Sequence, residues 1–236
     1  MKLKILNLNI FNYVDFEKRK PRIIQFIRKH NPDIITFQEI RDDVVFNKKG
    51  DNQAKQLNRE LHYPYYAFCS VTDKRKERPE RYKRYCIEGS ALLSKFPIIK
   101  AEKKQLKQQK EDIHAHGILY ARIKAEKIVD IAVIHFSNNN LFSLLHLIET
   151  MKYLKKRKLK PIMAGDFNMY HSDWLDELTE EDYKSSMNFR KYISYPHNKY
   201  TLDYILIPKK FRFKSFRCEG KGLSDHKALI AEIEIK

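Results

Sequence analysis

The stretch Pro32-Asp-Ile-Ile-Thr-Phe-Gln-Glu39 decides the prediction of the fold, because an apolar run ends there in two polar side chains. The run predicts a buried strand, and the last two residues add an amide and a carboxylate at its end. Before it, residues 16–30 carry isoleucines at helical spacing, and Asn31-Pro32 ends that pattern. A helix is therefore followed by a buried strand that ends in chemically useful groups.

Outward from this stretch, short apolar runs alternate with amphipathic stretches along the whole chain. Further strands are predicted at residues 3–10, 65–71, 90–94, 117–123, 128–136, 161–165, 202–207, 211–216 and 228–235. Further helices are predicted at residues 52–61 and where Leu141, Leu144, Leu145, Ile148 and Met151 form one apolar face. Because helices and strands intermix without a linker or a repeat, residues 1–236 are predicted to form a single layered α/β domain.

Glycine and cysteine usage excludes several classes of protein. Of only six glycines, Gly220 and Gly222 are followed by Asp225 where a dinucleotide fingerprint needs its third glycine, and there is no P-loop. The cysteines are odd in number and far apart, with no Cys-x-x-Cys pair: Cys69, Cys86 and Cys218. Neither a disulfide framework nor a zinc ribbon is indicated.

The charge balance favours an anionic partner. The 236 residues include 47 Lys and Arg against 30 Asp and Glu, a formal net charge of +17. Nucleic acid, an acidic membrane surface or phosphorylated substrates would each suit such a charge, and a Lys-rich surface without a partner is the alternative. There is no signal peptide or membrane-spanning run, so we expect a soluble, cytoplasmic protein without stable membrane association.

Five segments carry polar groups at or within predicted strands. They are Asn9, Gln38-Glu39, Gly165-Asp-Phe-Asn168, Leu202-Asp-Tyr-Ile-Leu206 and Ser224-Asp-His226. Polar side chains at strand ends converge at one edge of a sheet, although each segment alone is weak evidence because such residues also form turns. Together they predict a shared site.

In this order the segments resemble the endonuclease/exonuclease/phosphatase superfamily, whose members include deoxyribonuclease I, AP endonucleases, deadenylases, sphingomyelinases and inositol-phosphate phosphatases. The resemblance runs from residue 3 to about 230 and also covers Glu88-Gly-Ser-Ala-Leu-Leu-Ser-Lys-Phe-Pro97 and Ile134-His-Phe136. It implies a four-layer α/β sandwich of the deoxyribonuclease I type, with two packed mixed β-sheets flanked by helices.

The residue types suit phosphate-ester cleavage, which needs charge stabilised on phosphoryl oxygens, a polarised water and a partner for the leaving oxygen. Glu39 and Asp225 are hard oxygen ligands of the kind that Mg²⁺ or Mn²⁺ prefers, and Asn9 can add an amide oxygen, directly or through water. The resemblance implies that Asp166 orients or deprotonates the attacking water, while Asn168 holds that water or the phosphate.

The resemblance also implies roles for the remaining polar groups. Asp203 pairs with His226, which fixes the imidazole tautomer and raises its basicity. His135, steadied by Glu88, donates to a phosphoryl oxygen or to the leaving group. Glu88 could equally be an exposed turn residue and His135 a core histidine, and which group acts as the general base stays open. The remaining histidine pair is interpreted as structural or surface: His114 and His116.

Substrate choice rests on weaker signals. Residues 72–84 are too charged to bury and are interpreted as a long basic loop suited to phosphate contacts and base stacking. Its candidate substrate-binding residues are Arg78, Arg81, Tyr82 and Arg84. The basic run at residues 152–160 is interpreted as a solvated helix end. Tyr200-Thr201 stands where many nucleases of the family carry Arg, and the Trp-rich segment of AP endonucleases is absent, which argues against abasic-site repair.

These observations predict a divalent-metal-dependent phosphodiesterase that hydrolyses DNA or RNA, as an endonuclease. The alternative enzyme is a lipid or small-molecule phosphodiesterase or phosphatase that uses the same site. A nucleic-acid-binding protein with an inert site is disfavoured, because none of the six motif residues is missing. They are Glu39, Asp166, Asn168, Asp203, Asp225 and His226.

Overall fold

The computed structural model describes residues 1–236 and contains twelve strands and six helices. The strands are β1 (Lys2–Asn9), β2 (Ile34–Asp43), β3 (Tyr65–Asp73), β4 (Cys86–Ser94), β5 (Ile98–Gln105), β6 (Gly117–Lys124), β7 (Ile128–His135), β8 (Ile162–Asp166), β9 (Tyr183–Ser185), β10 (Asp203–Pro208), β11 (Arg212–Glu219) and β12 (Ala228–Glu234). The helices are α1 (Phe16–His30), α2 (Gln53–Leu61), α3 (Lys74–Glu77), α4 (Asn140–Lys156), α5 (Ser172–Thr179) and α6 (Ser186–Phe189). None of these helices has the length and apolar character to cross a bilayer.

The strands form two sheets of six, in the orders β11-β12-β1-β2-β4-β3 and β5-β6-β7-β8-β10-β9. Each sheet contains one parallel pair, β1 with β2 and β7 with β8, and every other pair is antiparallel. A parallel pair needs a crossover connection, which α1 provides in the first sheet and α4 in the second. The two halves of the molecule therefore repeat one arrangement.

Three apolar layers hold the sheets and helices together. One lies between the two sheets, a second between the first sheet and α1 with α2, and a third between the second sheet and α4 with α5. In β1 the alternation sends Ile5 into the layer between the sheets and Leu6 and Leu8 beneath the helices. The four-layer α/β sandwich predicted from the sequence is confirmed.

The apolar face predicted for α4 is partly wrong. Leu141 is 57% exposed and Leu145 38% exposed, whereas Leu147 and Leu154 are fully buried against the second sheet. Leu144 and Met151 pack at the edge of that layer, so the buried stripe is rotated by about one residue. The segment has leucines on adjacent faces, so its periodicity does not select the face that meets the sheet.

The prediction of a long basic loop at residues 72–84 is wrong at its start. Thr72 and Asp73 end β3, and residues 74–77 form α3, in which Lys74 is 4% exposed. Charge did not prevent burial because Lys74 is paired with Glu77 and Glu88 at 3.2 and 3.1 Å. The strand predicted to end at Gln38 extends five residues further, to Asp43 in β2. The sequence did not predict β5, β9, α5 or α6.

Candidate active site

The candidate site lies at one edge of the sandwich, between the two sheets. Side chains that face this interior alternate along each strand and are apolar at one end of the strand and polar at the other. At the polar end lie Asn9 of β1, Glu88 of β4, His135 of β7, Asp166 of β8 and Asp203 of β10. Beside them opens a cleft of about 460 Å³. Glu88, His135 and Asp166 line it together with Glu39, Asn168, Asp225 and His226, whereas Asn9 and Asp203 are fully buried beneath its surface.

A continuous row of polar contacts crosses the centre of the cleft. The Nδ1 atom of His226 lies 2.7 Å from Oδ2 of the fully buried Asp203, and its Nε2 atom lies 3.7 Å from Oδ2 of Asp166. The Nδ2 amide of Asn9 donates to Asp166 at 3.0 Å and to Glu39 at 3.1 Å. The row therefore connects the buried carboxylate of Asp203, through His226, Asp166 and Asn9, to the carboxylate of Glu39, which lines the cleft.

Crowding of carboxylates controls the protonation of this row. Burial by itself would lower the pKa of His226, but the carboxylates of Asp203 and Asp166 raise it to about 10. Burial is the main reason that the pKa of Asp166 is raised to about 7, against the opposing effect of His226. His226 is therefore charged at neutral pH, with its two ring nitrogens facing two carboxylates.

Glu39 reaches the cleft through an irregularity in β2. Its φ of 57° lies in the left-handed region, and the pairing of β2 with β4 shifts between Phe37 and Ile40. Because regular alternation would place Glu39 on the face opposite Gln38, the bulge redirects its carboxylate into the cleft. The Nδ2 amide of Asn12 donates to Oε2 of Glu39 at 3.0 Å and holds it there.

The amide oxygen of Asn9, predicted to reach a bound cation directly or through water, contacts the backbone in this structure. Its Oδ1 atom accepts the backbone N–H of Phe11 at 3.0 Å, and its NH₂ group faces Glu39 and Asp166. In this arrangement the amide links two carboxylates that would otherwise repel each other. The chain folds this way because Phe11 turns back over the end of β1 with a φ of 54°.

The donor set fits a hard divalent cation. Glu39, Asp166 and Asp225 line the cleft together, and the pKa of Glu39 is raised by burial and then by its neighbours Glu88 and Asp225. Buried carboxylates crowded to this degree call for a positive charge between them, and carboxylate oxygens are the ligands that Mg²⁺ and Mn²⁺ prefer. Glu39 and Asp225 would hold the ion, with Asp166 within its reach.

Asp166 and Asn168 are held by the turn that follows β8. The carboxylate of Asp166 accepts the backbone N–H of Asn168 at 2.9 Å, and the Asn168 amide donates to the carbonyl of Phe136 at 3.0 Å. Gly165 precedes them because a Cβ there would lie 1.9 Å from the carbonyl oxygen of Ile134. The close approach of β7 and β8 thus brings both polar side chains to the cleft.

Glu88 is neither an exposed turn residue nor hydrogen-bonded to His135. It is 9% exposed, and its carboxylate contacts the guanidinium of Arg41 and, at 3.1 Å, the ammonium of Lys74. Burial opposes ionisation, but Lys74 and then Arg41 hold the pKa of Glu88 below its usual value. Glu88 therefore balances the buried Lys74 and the partly buried Arg41 in the wall of the cleft.

The histidines near His135 lie in the cleft wall and not on an outer surface. His116 is 7% exposed and lies 3.2 Å through Nδ1 from the carbonyl of His135, and Nδ1 of His114 lies 2.8 Å from Glu77. Burial and then the charge of His116 lower the pKa of His135 to about 3, so His135 is neutral. His114 and His116, which were interpreted as structural or surface residues, therefore line the cleft.

The basic segment contributes part of the predicted substrate surface. Arg78, Arg81 and Tyr82 line the cleft, and the Tyr82 ring packs against the guanidinium of Arg81, 5.6 Å from its centroid. Arg84 is exposed and does not line the cleft, so its role in substrate binding stays a prediction. The sequence reading missed further lining residues, which have no motif of their own: Asn12, Arg41, Lys74, Tyr170 and Tyr195.

The fold and the site define a phosphoesterase of the deoxyribonuclease I-like class. A model of the Endonuclease/Exonuclease/phosphatase family matches residues 6–226, and the chain belongs to that family. Members of this family are phosphoric ester hydrolases and generally depend on a divalent metal. Among curated proteins, none has a significantly matching sequence.

Solved structures share the fold at low sequence identity. The catalytic domain of human nocturnin, with bound sulfate, superposes with a TM-score of 0.79 at 18% identity, covering 100% of this chain and 95% of that one. A family protein from Leptotrichia buccalis gives 0.77 at 18% identity, covering 99% and 100%. A mannosyl-6-phosphatase from Bacteroides thetaiotaomicron gives 0.72 at 15% identity, covering 99% and 100%. At these identities the likeness establishes the fold.

Proposed function

We propose that this protein is a divalent-metal-dependent phosphodiesterase that hydrolyses nucleic acid and acts as an endonuclease. The observation that carries the proposal is the pairing of two surfaces within one cleft. Carboxylates and His226 occupy its centre, and Arg78 and Arg81 border it without an ion-pair partner. A polyanion bound at the carboxylates would meet these guanidinium groups, which suit contacts with phosphates beside the cleaved bond.

The residues of the chain divide the work of the reaction. Asp166 holds the attacking water and accepts its proton, and Asn168 orients that water or the phosphate. His226, kept in place by Asp203, presents its Nε2 proton to the negative charge that develops on the phosphoryl group. When bound between Glu39 and Asp225, the cation supplies Lewis-acid polarisation of the phosphoryl oxygens.

His135 takes part as a neutral imidazole. Its ring faces the cleft, and no side chain or backbone group accepts or donates a hydrogen bond to it. One ring nitrogen is therefore free to donate to a phosphoryl oxygen or to the leaving oxygen. Glu88 acts at a distance, by holding Arg41 and Lys74 in place in the wall of the cleft.

The test is hydrolysis of circular DNA, supplied both as a duplex plasmid and as a single-stranded circle, and of labelled single-stranded RNA with Mg²⁺, beside an EDTA control and a His226→Ala protein. We expect metal-dependent cleavage that is lost in the variant. Nicking of the closed circle, which has no ends, is the result that requires an endonuclease. A folded protein that cleaves neither substrate would contradict the proposal.

A small phosphate ester is the second candidate, because one observation favours it. A volume of about 460 Å³ lies within the usual range for clefts that hold small molecules. Salt separates the candidates: KM for a polynucleotide should rise steeply with ionic strength as counterions compete, whereas KM for a small ester should change little.

A further inference from the structure

Three tyrosines gather at the end of the cleft that is formed by β10 and the start of β12. Tyr170 and Tyr195 line the cleft, and the Tyr195 ring packs on His226 with centroids 4.9 Å apart. Tyr200 meets Tyr170 edge to face at 4.8 Å. Tyr170 remains 39% exposed and Tyr200 42% exposed, so an aromatic surface of two rings is open to solvent beside the reacting groups.

This surface is built on a rigid turn. Tyr195 and Tyr200 exchange two backbone hydrogen bonds, of 2.9 and 3.1 Å. The side-chain hydroxyl of Ser194 accepts hydrogen bonds from the backbone N–H groups of Leu202 and Asp203, each at 3.0 Å. The backbone carbonyl of Ser194 accepts a hydrogen bond from the backbone N–H of Lys227 at 2.7 Å. The turn is thus attached to the backbone on both sides of the Asp203–His226 pair, and its tyrosines hold a set distance from the reaction centre.

The two ends of the cleft differ in chemistry. β3 and β4 pack against β5, β6 and β7 at one end, and the basic segment that follows β3 lies there. β10 contacts β12 at the other end, where the turn at residues 195–200 lies. The carboxylates of Glu39 in β2 and Asp166 in β8, together with the amide of Asn9 in β1, lie between the two. A chain bound along the cleft would meet guanidinium groups on one side of the cleaved bond and aromatic rings on the other.

We propose that Tyr170 and Tyr200 form a stacking platform for one unpaired base beside the cleaved phosphodiester, so that the enzyme selects single-stranded nucleic acid. The inference rests on the proposed function and specifies its substrate. In a duplex each base is covered on both faces by its neighbours, and only an unpaired base can offer a face to a side chain. Aromatic rings accept any base in this way, so the platform selects strandedness and not sequence.

The test compares a short single-stranded RNA with a blunt hairpin that contains the same sequence, at constant salt. The variants are Tyr170→Ala and Tyr200→Ala, with Tyr200→Phe to keep the ring and remove the hydroxyl. Loss of one stacking contact should raise KM for the single strand by about 5- to 100-fold, and Tyr200→Phe should retain the affinity of the unchanged protein. The matched control is Tyr65→Ala, which removes a similarly exposed tyrosine, 37% exposed, at the start of β3.

Three results would overturn the platform, and they are distinguishable. If the unchanged protein cleaves strand and hairpin equally well and the alanine variants match it, the platform is wrong and the proposed function stands. An equal loss in Tyr200→Phe would show that the hydroxyl matters and not the ring face. If the unchanged protein cleaves neither RNA nor DNA, the proposed function fails and the platform with it.

Discussion

Glu39 combines an unfavourable backbone conformation with an unfavourable charge. Its φ of 57° is rare for a residue with a side chain, and its carboxylate lies near those of Glu88 and Asp225. Strain of this kind persists only where the surrounding structure enforces it, and it concentrates at functional sites. The bulge in β2 and the amides of Asn9 and Asn12 enforce it here.

Glu39→Gln should therefore separate stability from activity. The pKa of Glu39 is raised by burial and like charge, so its ionised form destabilises the fold at neutral pH when no cation is bound. We expect the variant to melt at an equal or higher temperature in EDTA and to lose metal-dependent turnover by at least about 100-fold. Turnover within a few-fold of the unchanged protein would remove Glu39 as a metal ligand.

Arg19 of α1 is a buried cation that pairs with no carboxylate. It is 9% exposed, and its guanidinium donates to five backbone carbonyls. They belong to Ile10, Phe11, Asn12, Val14 and Leu223. Four of them lie in the turn that carries Asn12, and the fifth lies just before Asp225. One side chain thus ties together two backbone segments beside Glu39 and Asp225, the predicted metal ligands in the cleft.

Arg19→Lys should loosen the backbone beside Glu39 and Asp225, because a lysine ammonium has fewer hydrogen-bond donors than a guanidinium and lacks its planar arrangement of them. We expect a 10- to 100-fold weaker binding of Mn²⁺, on the order seen when groups supporting a metal ligand are changed. Direct titration of the metal and a thermal melt measure binding and folding separately. Lys18→Met, on the exposed side of the same helix, is the control and should bind Mn²⁺ as the unchanged protein does.

At the scale of elements, the segment from α3 to β4 shows how a charged stretch acquires two functions. Its first residue, Lys74, is buried by ion pairs with Glu77 and Glu88. Its middle supplies Arg78 and Arg81 to the cleft. Its last residues, Lys83 and Arg84, are exposed and lie outside the cleft. Basic residues of one segment are therefore buried in ion pairs, line the cleft or face solvent, depending on their position in the segment.

The double variant Arg78→Ala with Arg81→Ala should weaken polynucleotide cleavage through KM. Removing two phosphate contacts should also reduce the slope of log KM against log salt by about 1.5. The double variant Lys83→Ala with Arg84→Ala makes the same change in net charge outside the cleft. Its slope of log KM against log salt should stay close to that of the unchanged protein. Equal slopes in the two double variants would show that overall charge, and not these contacts, attracts the substrate.

At the scale of the whole molecule, buried neutral histidines tie stability to pH. His146 of α4 is 1% exposed; its Nδ1 atom accepts the backbone N–H of Ser137, and Nε2 faces the carbonyl of Lys107. These contacts suit the neutral ring, and burial is the main reason that the pKa of His146 is lowered to about 4. Between pH 6.5 and this value the unfolded chain binds more protons than the folded one, so stability falls as pH falls.

His146 should contribute about 2 kcal/mol of the stability lost between pH 8 and pH 5. In His146→Gln, which keeps a donor for Lys107, urea unfolding should show lower stability at pH 8 but a weaker dependence on pH across this window. His135 contributes with the same sign, because its pKa is lowered to about 3. An unchanged pH dependence in the variant would mean that His146 is not held neutral by the fold.

How far the sequence predicts this molecule differs between its parts. The alternation of helices and strands was sufficient for a layered α/β domain, and the acidic, amide and imidazole groups at strand ends were sufficient for the family resemblance. The four-layer sandwich followed from that resemblance. The stripe of α4 was misplaced because leucines lie on two of its faces, and only contact with the sheet selects one. Lys74 was expected in solvent because its partner Glu88 lies on another strand.

The sequence by itself determined the α/β class and the motif residues that resemble the family, because those signals are local: strand alternation and short polar segments. The order of the layers followed from the resemblance. The tertiary structure alone decided that Glu88 balances Arg41 and Lys74, that Arg84 lies outside the cleft, and that tyrosines meet beside His226. These contacts join segments far apart in the chain. In sequence, such residues have the same local pattern as ordinary surface side chains.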